Sequence, residues 1–442
     1  MDMPLLDWKV ELIRDIAAEL GSDDASFGRG GEPLADAARE LSTIAGDLTR
    51  HEIAPDQSCI TKVEALIQRA YEGMAASFDS AALTGWRRIF TDASIVIALV
   101  NSALSPVTAI GRLDRAIIIA GAAGPSRLEL VQHLITKIQN ECAVRPTFSI
   151  TPSPDPLHTI SEVTLASARR QIPVLSTPPS LMPFQNKYSR APFILRGFAT
   201  DWPAMNEHPW SSAEYLRRVA GPGRVVPVEV GQDYRSDEWS QKLMDWDDFL
   251  ASIDLSDACP ASTTKDVLYL AQHNLMMQFP ALRDDICVPD YVYASLSDAD
   301  FPGYKPPGND DQLVINAWLG PLGTLSPAHT DPYHNFYVQV VGEKTVWLAP
   351  AESLPSMYPY PPRKSAASPA DSNDTCMANT SRMDVFTDDK EGSLKEFPAF
   401  WQNVYPNAMY ATLHPGDMLF FPAGWWHAMR SESVSFSVSM WF

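Results

Sequence analysis

Ser326-Pro327-Ala328-His329-Thr330-Asp331-Pro332-Tyr333-His334-Asn335 is the stretch on which the reading of this chain turns. It lies between two runs of strand character, Leu313-Val314-Ile315-Asn316-Ala317-Trp318 and Asn335-Phe336-Tyr337-Val338-Gln339-Val340-Val341. In an extended segment residues i and i+2 project the same way, so His329 and Asp331 share a face. An imidazole and a carboxylate so placed can take two neighbouring vertices of a metal octahedron. A lone His-x-Asp also describes a polar loop pair, but the sequence holds no other H-x-D or H-x-E. A second imidazole is expected from His427, which follows Gly416-Asp417-Met418-Leu419-Phe420-Phe421-Pro422 and the pair Trp425-Trp426. Two histidines and one carboxylate leave three vertices free, the facial triad of non-haem Fe(II) oxygenases. Zinc competes, but a two-His-plus-acid zinc site usually comes as H-E-x-x-H on a helix, which is absent.

Outward from this segment the pattern is many short strands: Phe193–Leu195, Val225–Val230, Thr345–Leu348, Asp417–Phe421 and Val434–Trp441. The last alternates serine with apolar residues, as a strand with two different faces should. Strands separated by Gly, Pro and Asp turns predict a sandwich or barrel of jelly-roll type. Residues 1 to 145 read differently. Apolar stripes at helical spacing (Leu12, Ile13, Ile16, Leu20; Val63, Leu66, Ala70; Val131, Leu134, Ile135, Ile138) predict an all-helical domain. Ala93 to Ile110 is too interrupted to span a bilayer and reads as a buried helix. Ile117 to Gly124 has small residues suited to close helix packing. Prolines mark 146–180 as a linker, and the segment about 352–395, rich in Pro, Ser, Ala and Asp, reads as a surface loop inserted between the two iron-ligand halves. The expectation is an α+β, multidomain chain: helical domain 1–145, linker 146–180, β domain 181–442.

With 442 residues, 45% hydrophobic and 20% charged, the chain is long enough for two packed domains. Its 34 Lys+Arg against 54 Asp+Glu give a net charge of −20. Such a surface repels phosphate backbones and anionic lipid and attracts basic segments, so neither nucleic acid nor membrane is an expected partner. Five dispersed cysteines with no C-x-x-C pair predict reduced thiols. The N-terminus lacks the features of a signal peptide, and an intracellular location, nucleus and/or cytoplasm, is expected.

Lys344 follows the turn Val341-Gly342-Glu343 and opens a strand. Alone, it reads equally as a solvated hairpin-edge lysine. If the strand lines the barrel, its ammonium is buried near the metal and needs an anionic partner, Asp331 or a bound dicarboxylate.

These segments together resemble the Jumonji-C family, in particular the branch of Jumonji domain-containing protein five. The resemblance runs through Ile315-Asn316-Ala317-Trp318, Ser326 to Pro332, Asn335-Phe336, Lys344, Phe421-Pro422 and Trp426-His427. It extends to Tyr269-Leu270-Ala271-Gln272-His273, Pro289-Asp290-Tyr291, Pro227 to Gly231 and Glu238-Trp239-Ser240. It implies a double-stranded β-helix (cupin-like) oxygenase using Fe(II), 2-oxoglutarate and O2, with release of succinate and CO2. His329, Asp331 and His427 would ligate iron. Lys344 would pair with the distal carboxylate of 2-oxoglutarate, helped by Tyr269, Ser326 and Asn335, with Trp441 walling the pocket. Glu229 matches the branch's guanidinium-binding acid, Trp239 an aromatic wall beside it, and Trp318 belongs to the same substrate side. A carboxylate beside an aromatic ring suits arginine, although Glu229 as a rim charge and Trp239 as core also fit. The implied activity is hydroxylation of arginine in basic proteins. The alternatives are histone lysine demethylation on the same scaffold and a catalytically silent binding module, with the helical domain a candidate protein-interaction module.

Overall fold

The computed structural model describes residues 6–22, 27, 30–49, 57–141, 165–236, 238–253, 255, 267–296, 301, 304–361 and 377–442. They form two compact units: a helical unit, which includes the short segments 220–226 and 245–247, and a β-rich unit holding most of the rest. Much of the expected linker, residues 146–164, lies outside the described residues, as do Cys142, Cys259 and Cys376.

The helical unit contains α1 (Asp7–Ser22), α2 (Glu32–Leu48), α3 (Gln57–Ala76), α4 (Ser80–Asn101), α5 (Pro106–Ala120) and α6 (Arg127–Glu141). Asp79 caps α4 by accepting from Ala82 N at 2.8 Å, the usual remedy for an orphan N–H at a helix start. From Arg88 to Val100 every residue of α4 is buried, and the helix packs against α3 and α5. The stretch Ala93–Ile110, expected to be one buried helix, is the end of α4, a turn and the start of α5. Pro106 lacks an N–H and serves best in a first helical turn, so it opens a new helix. The run Ile117 to Gly124 packs closely, as its small residues suggest: Ala120 and Ala122 are buried, and a Cβ on Gly124 would lie 2.7 Å from Arg127 Cγ. Gly121 caps α5 at φ +64°, and a Cβ there would meet nothing within 4 Å; its role is the left-handed backbone. No helix among the described residues is long and apolar enough to cross a membrane.

The strands, which lie in the β-rich unit apart from the first two residues of β3 and the last of β4, are β1 (Arg170–Gln171), β2 (Phe193–Leu195), β3 (Val225–Val230), β4 (Ser240–Asp245), β5 (Leu268–His273), β6 (Val314–Gly320), β7 (Leu325–Thr330), β8 (Asn335–Val341), β9 (Lys344–Ala349), β10 (Met409–Leu413), β11 (Met418–Phe421), β12 (Trp426–Ser431) and β13 (Ser435–Trp441). They make two sheets, β1-β10-β9-β12-β7 and β2-β11-β8-β13-β6-β5-β3-β4. Period-2 alternation sorts the side chains. Val346 and Leu348 of β9 and Met429 of β12 join Tyr337, Ile194, Leu419 and Phe421 of the other sheet in one apolar cluster. Trp347, Ala349, Trp426 and Ala428 point to the opposite face, where Met357, Met383, Val385, Phe397, Phe400 and Trp401 cover them.

That cover corrects two expectations. Residues 377–395, part of the predicted surface loop, are built into the fold: Met383 is 0% exposed, and the 379–381 segment pairs with the free edge of β7 through Ser381 N→Ala328 O (2.7 Å) and Thr330 N→Asn379 O (3.1 Å). An uncovered edge strand would be a liability, and this backbone closes it. Within the expected linker, Leu165 and Ala168 are buried and β1 pairs with β10 in parallel. Prolines exclude a helix there but do not exclude an extended strand at a sheet edge.

Candidate metal centre and cosubstrate pocket

His329 and His427 face each other directly in the β7–β12 ladder, with ring centroids 4.1 Å apart. Asp331, just past the end of β7, brings its Oδ2 to 3.3 Å from His427 Nε2 and 3.9 Å from His329 Nε2. One donor atom of each lies within 4.8 Å of the others. The backbone sets both tautomers. His329 Nδ1 bonds Pro327 O at 2.7 Å and His427 Nδ1 bonds Trp425 O at 3.1 Å, so the Nδ1 atoms carry protons and the Nε2 lone pairs face the carboxylate. Burial, then the neighbouring His427, lowers the pKa of His329 to about 4, which keeps it a neutral donor. Burial pushes Asp331 up, but its contacts with His427 and His329 outweigh it and hold the carboxyl below its usual range. Two imidazoles and one carboxylate, pre-oriented on adjacent strands, fit a divalent iron with open positions.

The cleft beside the triad is lined by Trp318, Ser326, Asn335, Tyr337 and Met429 with the three ligands. Lys344 opens β9 and is 1% exposed; it donates to Tyr337 Oη at 3.0 Å and Tyr269 Oη at 3.4 Å. Burial brings its pKa down to about 7, and among the described residues no carboxylate lies within ion-pair distance. Asn335 Oδ1 is buried without a partner. A buried ammonium and an orphaned amide oxygen beside a metal site fit a bound polar ligand.

A cupin-like domain family matches residues 184–442. Lysine-specific demethylase 8 of Danio rerio is 34% identical over 367 residues, 81% of this chain and 81% of its own length. Jumonji C domain-containing protein 5 of Drosophila melanogaster is 38% identical over 289 residues, 65% of this chain and 63% of its own. Lysine-specific demethylase JMJ30 of Arabidopsis thaliana is 36% identical over 251 residues, 57% and 49% respectively. The chain thus spans from about half to four-fifths of these relatives.

The chain belongs to the Jumonji-C family.

Members of this family are 2-oxoglutarate-dependent dioxygenases that use Fe(II), 2-oxoglutarate and O2, and the His-Asp-His set of this Jumonji-C chain is consistent with iron binding. The fold joins the other expected residues as follows. Tyr269 pairs with Glu229 across β5 and β3 and is hydrogen-bonded to Ser326. Trp239 donates from Nε1 to Glu229 Oε2 at 3.3 Å. Burial pushes the Glu229 carboxyl up, and the bonds from Trp239 and Gln241 only partly offset it. Trp318 is tied by Nε1 to Ser439 Oγ at 2.9 Å. Trp441 sits opposite Asn335 in the ladder and stacks on Tyr333, outside the residues that line the cleft. Two residues escaped the sequence reading. Tyr337 lines the cleft and holds Lys344; as Asn335 plus two on one strand, it was reachable by period-2 counting. Tyr234 reaches Thr380 Oγ1 at 3.4 Å, and burial, with Asp331 contributing, pushes its phenol up to about 12. Thr380 comes from the inserted segment, and no local pattern foretells that meeting.

Proposed function

We propose that this chain is an arginyl hydroxylase acting on basic protein segments, with its oxygenase domain over 181–442. The observation that carries the reading is Glu229. It is a half-buried carboxylate on a strand beside Tyr269, bonded by the Trp239 indole N–H and by Gln241, with no Lys or Arg within ion-pair distance among the described residues. A guanidinium supplies the missing charge, and its flat faces stack on Trp239 or Trp318.

In this reading His329, Asp331 and His427 hold Fe(II), and Lys344, Tyr269, Ser326 and Asn335 receive 2-oxoglutarate. The bound iron supplies oxidation of the substrate C–H bond, coupled to decarboxylation of 2-oxoglutarate to succinate and CO2. The protein's own part is placement. Pro327 O and Trp425 O aim the imidazoles, Lys344 offers charge to the distal carboxylate, and Glu229 fixes the side chain to be oxidised. The net charge of −20 draws basic partners by long-range attraction. Relatives named lysine-specific demethylases supply the second reading, in which an N-methyl group is oxidised and lost.

Mass spectrometry of unmodified arginine peptides and methyl-lysine peptides, each incubated with Fe(II) and 2-oxoglutarate, separates the two. The expected product is an arginine peptide that gains one oxygen; loss of methyl from lysine alone establishes the second reading instead. Glu229→Ala is expected to lower arginine-peptide turnover by about 10- to 100-fold while leaving 2-oxoglutarate binding intact.

A further inference from the structure

Two of the three ligands lean on one tight turn, Pro422-Ala423-Gly424-Trp425, which is closed by Trp425 N→Pro422 O at 3.3 Å. Trp425 O sets the His427 tautomer, and Gly424 N donates to Asp331 O at 2.8 Å. The next N–H in the turn, on Ala423, is held by a side chain: it donates to His334 Nδ1 at 3.3 Å. An imidazole nitrogen that accepts from an amide carries no proton, so the His334 hydrogen sits on Nε2. That Nε2 is buried and has no partner among the described residues. The His334 backbone is committed as well, donating to Phe442 O at 3.2 Å and accepting from Phe442 N at 3.1 Å. The residue therefore joins the Asp331 segment, the 422–425 turn and the end of β13.

Packing does not account for an imidazole at this position. His334 is 0% exposed, with Phe301 and Tyr304 edge-on to it at ring-centroid distances of 4.4 and 4.5 Å and Phe442 and Phe420 at 5.6 and 6.3 Å. A phenyl ring would fill that box without an orphaned N–H, whose burial costs free energy. What the imidazole offers and a phenyl lacks is the Nδ1 acceptor.

We infer that His334 is a positioning residue for the metal centre: by holding the Ala423 N–H it fixes the 422–425 turn, and through that turn the Asp331 main chain and the His427 ring. The inference rests on the assignment of His329, Asp331 and His427 to iron. His334 is not one of those ligands, and its accepting nitrogen is already spent on the amide. A role confined to filling the aromatic box would affect stability and leave metal affinity alone.

The test is calorimetric titration of the metal-free full chain with Mn(II), run beside urea unfolding of the same samples. His334→Phe keeps a ring in the box and drops the acceptor. It is expected to unfold at the same urea concentration as the wild type or a higher one, yet to bind Mn(II) about three- to tenfold more weakly. His334→Asn places Oδ1 where Nδ1 was, on a smaller side chain. It is expected to lose stability to the cavity while keeping Mn(II) affinity within about twofold of the wild type. Wild-type affinity in His334→Phe, or losses of affinity in both variants that follow their losses of stability, overturns the inference. His329→Ala separates the two levels. If that variant binds Mn(II) like the wild type, the metal assignment itself fails. If it loses Mn(II) while His334→Phe does not, only the positioning role fails.

Discussion

Both units bury charge: Asp114 and Asp92 of the helical unit are closed by arginines, as Asp417 of the β-rich unit is by Arg196, whereas Lys344 and Glu229 of the β-rich unit are left open. In the helical unit Asp114 is 0% exposed and takes Arg224 through Nε (2.9 Å) and Nη2 (2.7 Å), with Val225 N adding a third donor at 2.9 Å. Asp92, equally buried, takes Arg127 Nε at 2.6 Å, with Arg88 at 3.6 Å. In the β-rich unit Lys344 has two phenols and Glu229 an indole, and neither has an opposite charge within reach among the described residues. Buried ions are tolerated when paired, and removing one partner leaves an uncompensated charge. An open buried charge beside a cleft is better explained by a ligand that completes it.

The contrast is easiest to break at the metal set. His329→Ala is expected to abolish Fe(II)-dependent succinate formation while the fold persists by circular dichroism; unchanged turnover would remove the triad from the reaction. Next comes the closed pair. Arg224→Ala leaves Asp114 buried alone and is expected to cost about 3–5 kcal/mol in urea unfolding, with no change in 2-oxoglutarate affinity. A loss within 0.5 kcal/mol, roughly the size of a neutral surface change, would mean the pair is not closed in solution.

The smallest predicted effect has the opposite sign. With a folded pKa of about 7 against roughly 10.4 when unfolded, Lys344 binds its proton less tightly in the native state. The resulting penalty is full below about pH 7 and fades as pH rises toward the unfolded value. Lys344→Met is therefore expected to stabilise the ligand-free protein at pH 7 by on the order of a few kcal/mol, with the advantage shrinking by pH 10. Denaturant titrations of both proteins at the two pH values measure it, and a destabilised variant at pH 7 would show that Lys344 already has a counter-charge.

Much of the site was legible because its logic is local. His329 and Asp331 sit two apart on an extended segment, and His427 opens a strand after a Pro-Gly-Asp turn. The alternation Ser435-Phe436-Ser437-Val438-Ser439 announced two faces, but periodicity does not tell which face water touches. All three serines are 0% exposed, and the polar face points into the barrel. The inserted segment misled for a related reason: its composition signals loops, whereas Met383 and Val385 become core only because the outer face of β9 and β12 needs covering.

The amino-acid sequence by itself determined the two-part organisation, the jelly-roll strands and the metal set, since each follows from spacing along one chain. Tertiary structure alone decided that Tyr337 meets Lys344, that Thr380 meets Tyr234 and that Glu229 meets no cation among the described residues. Those facts depend on the register between strands far apart in sequence, and register is set by the packing of the whole sheet.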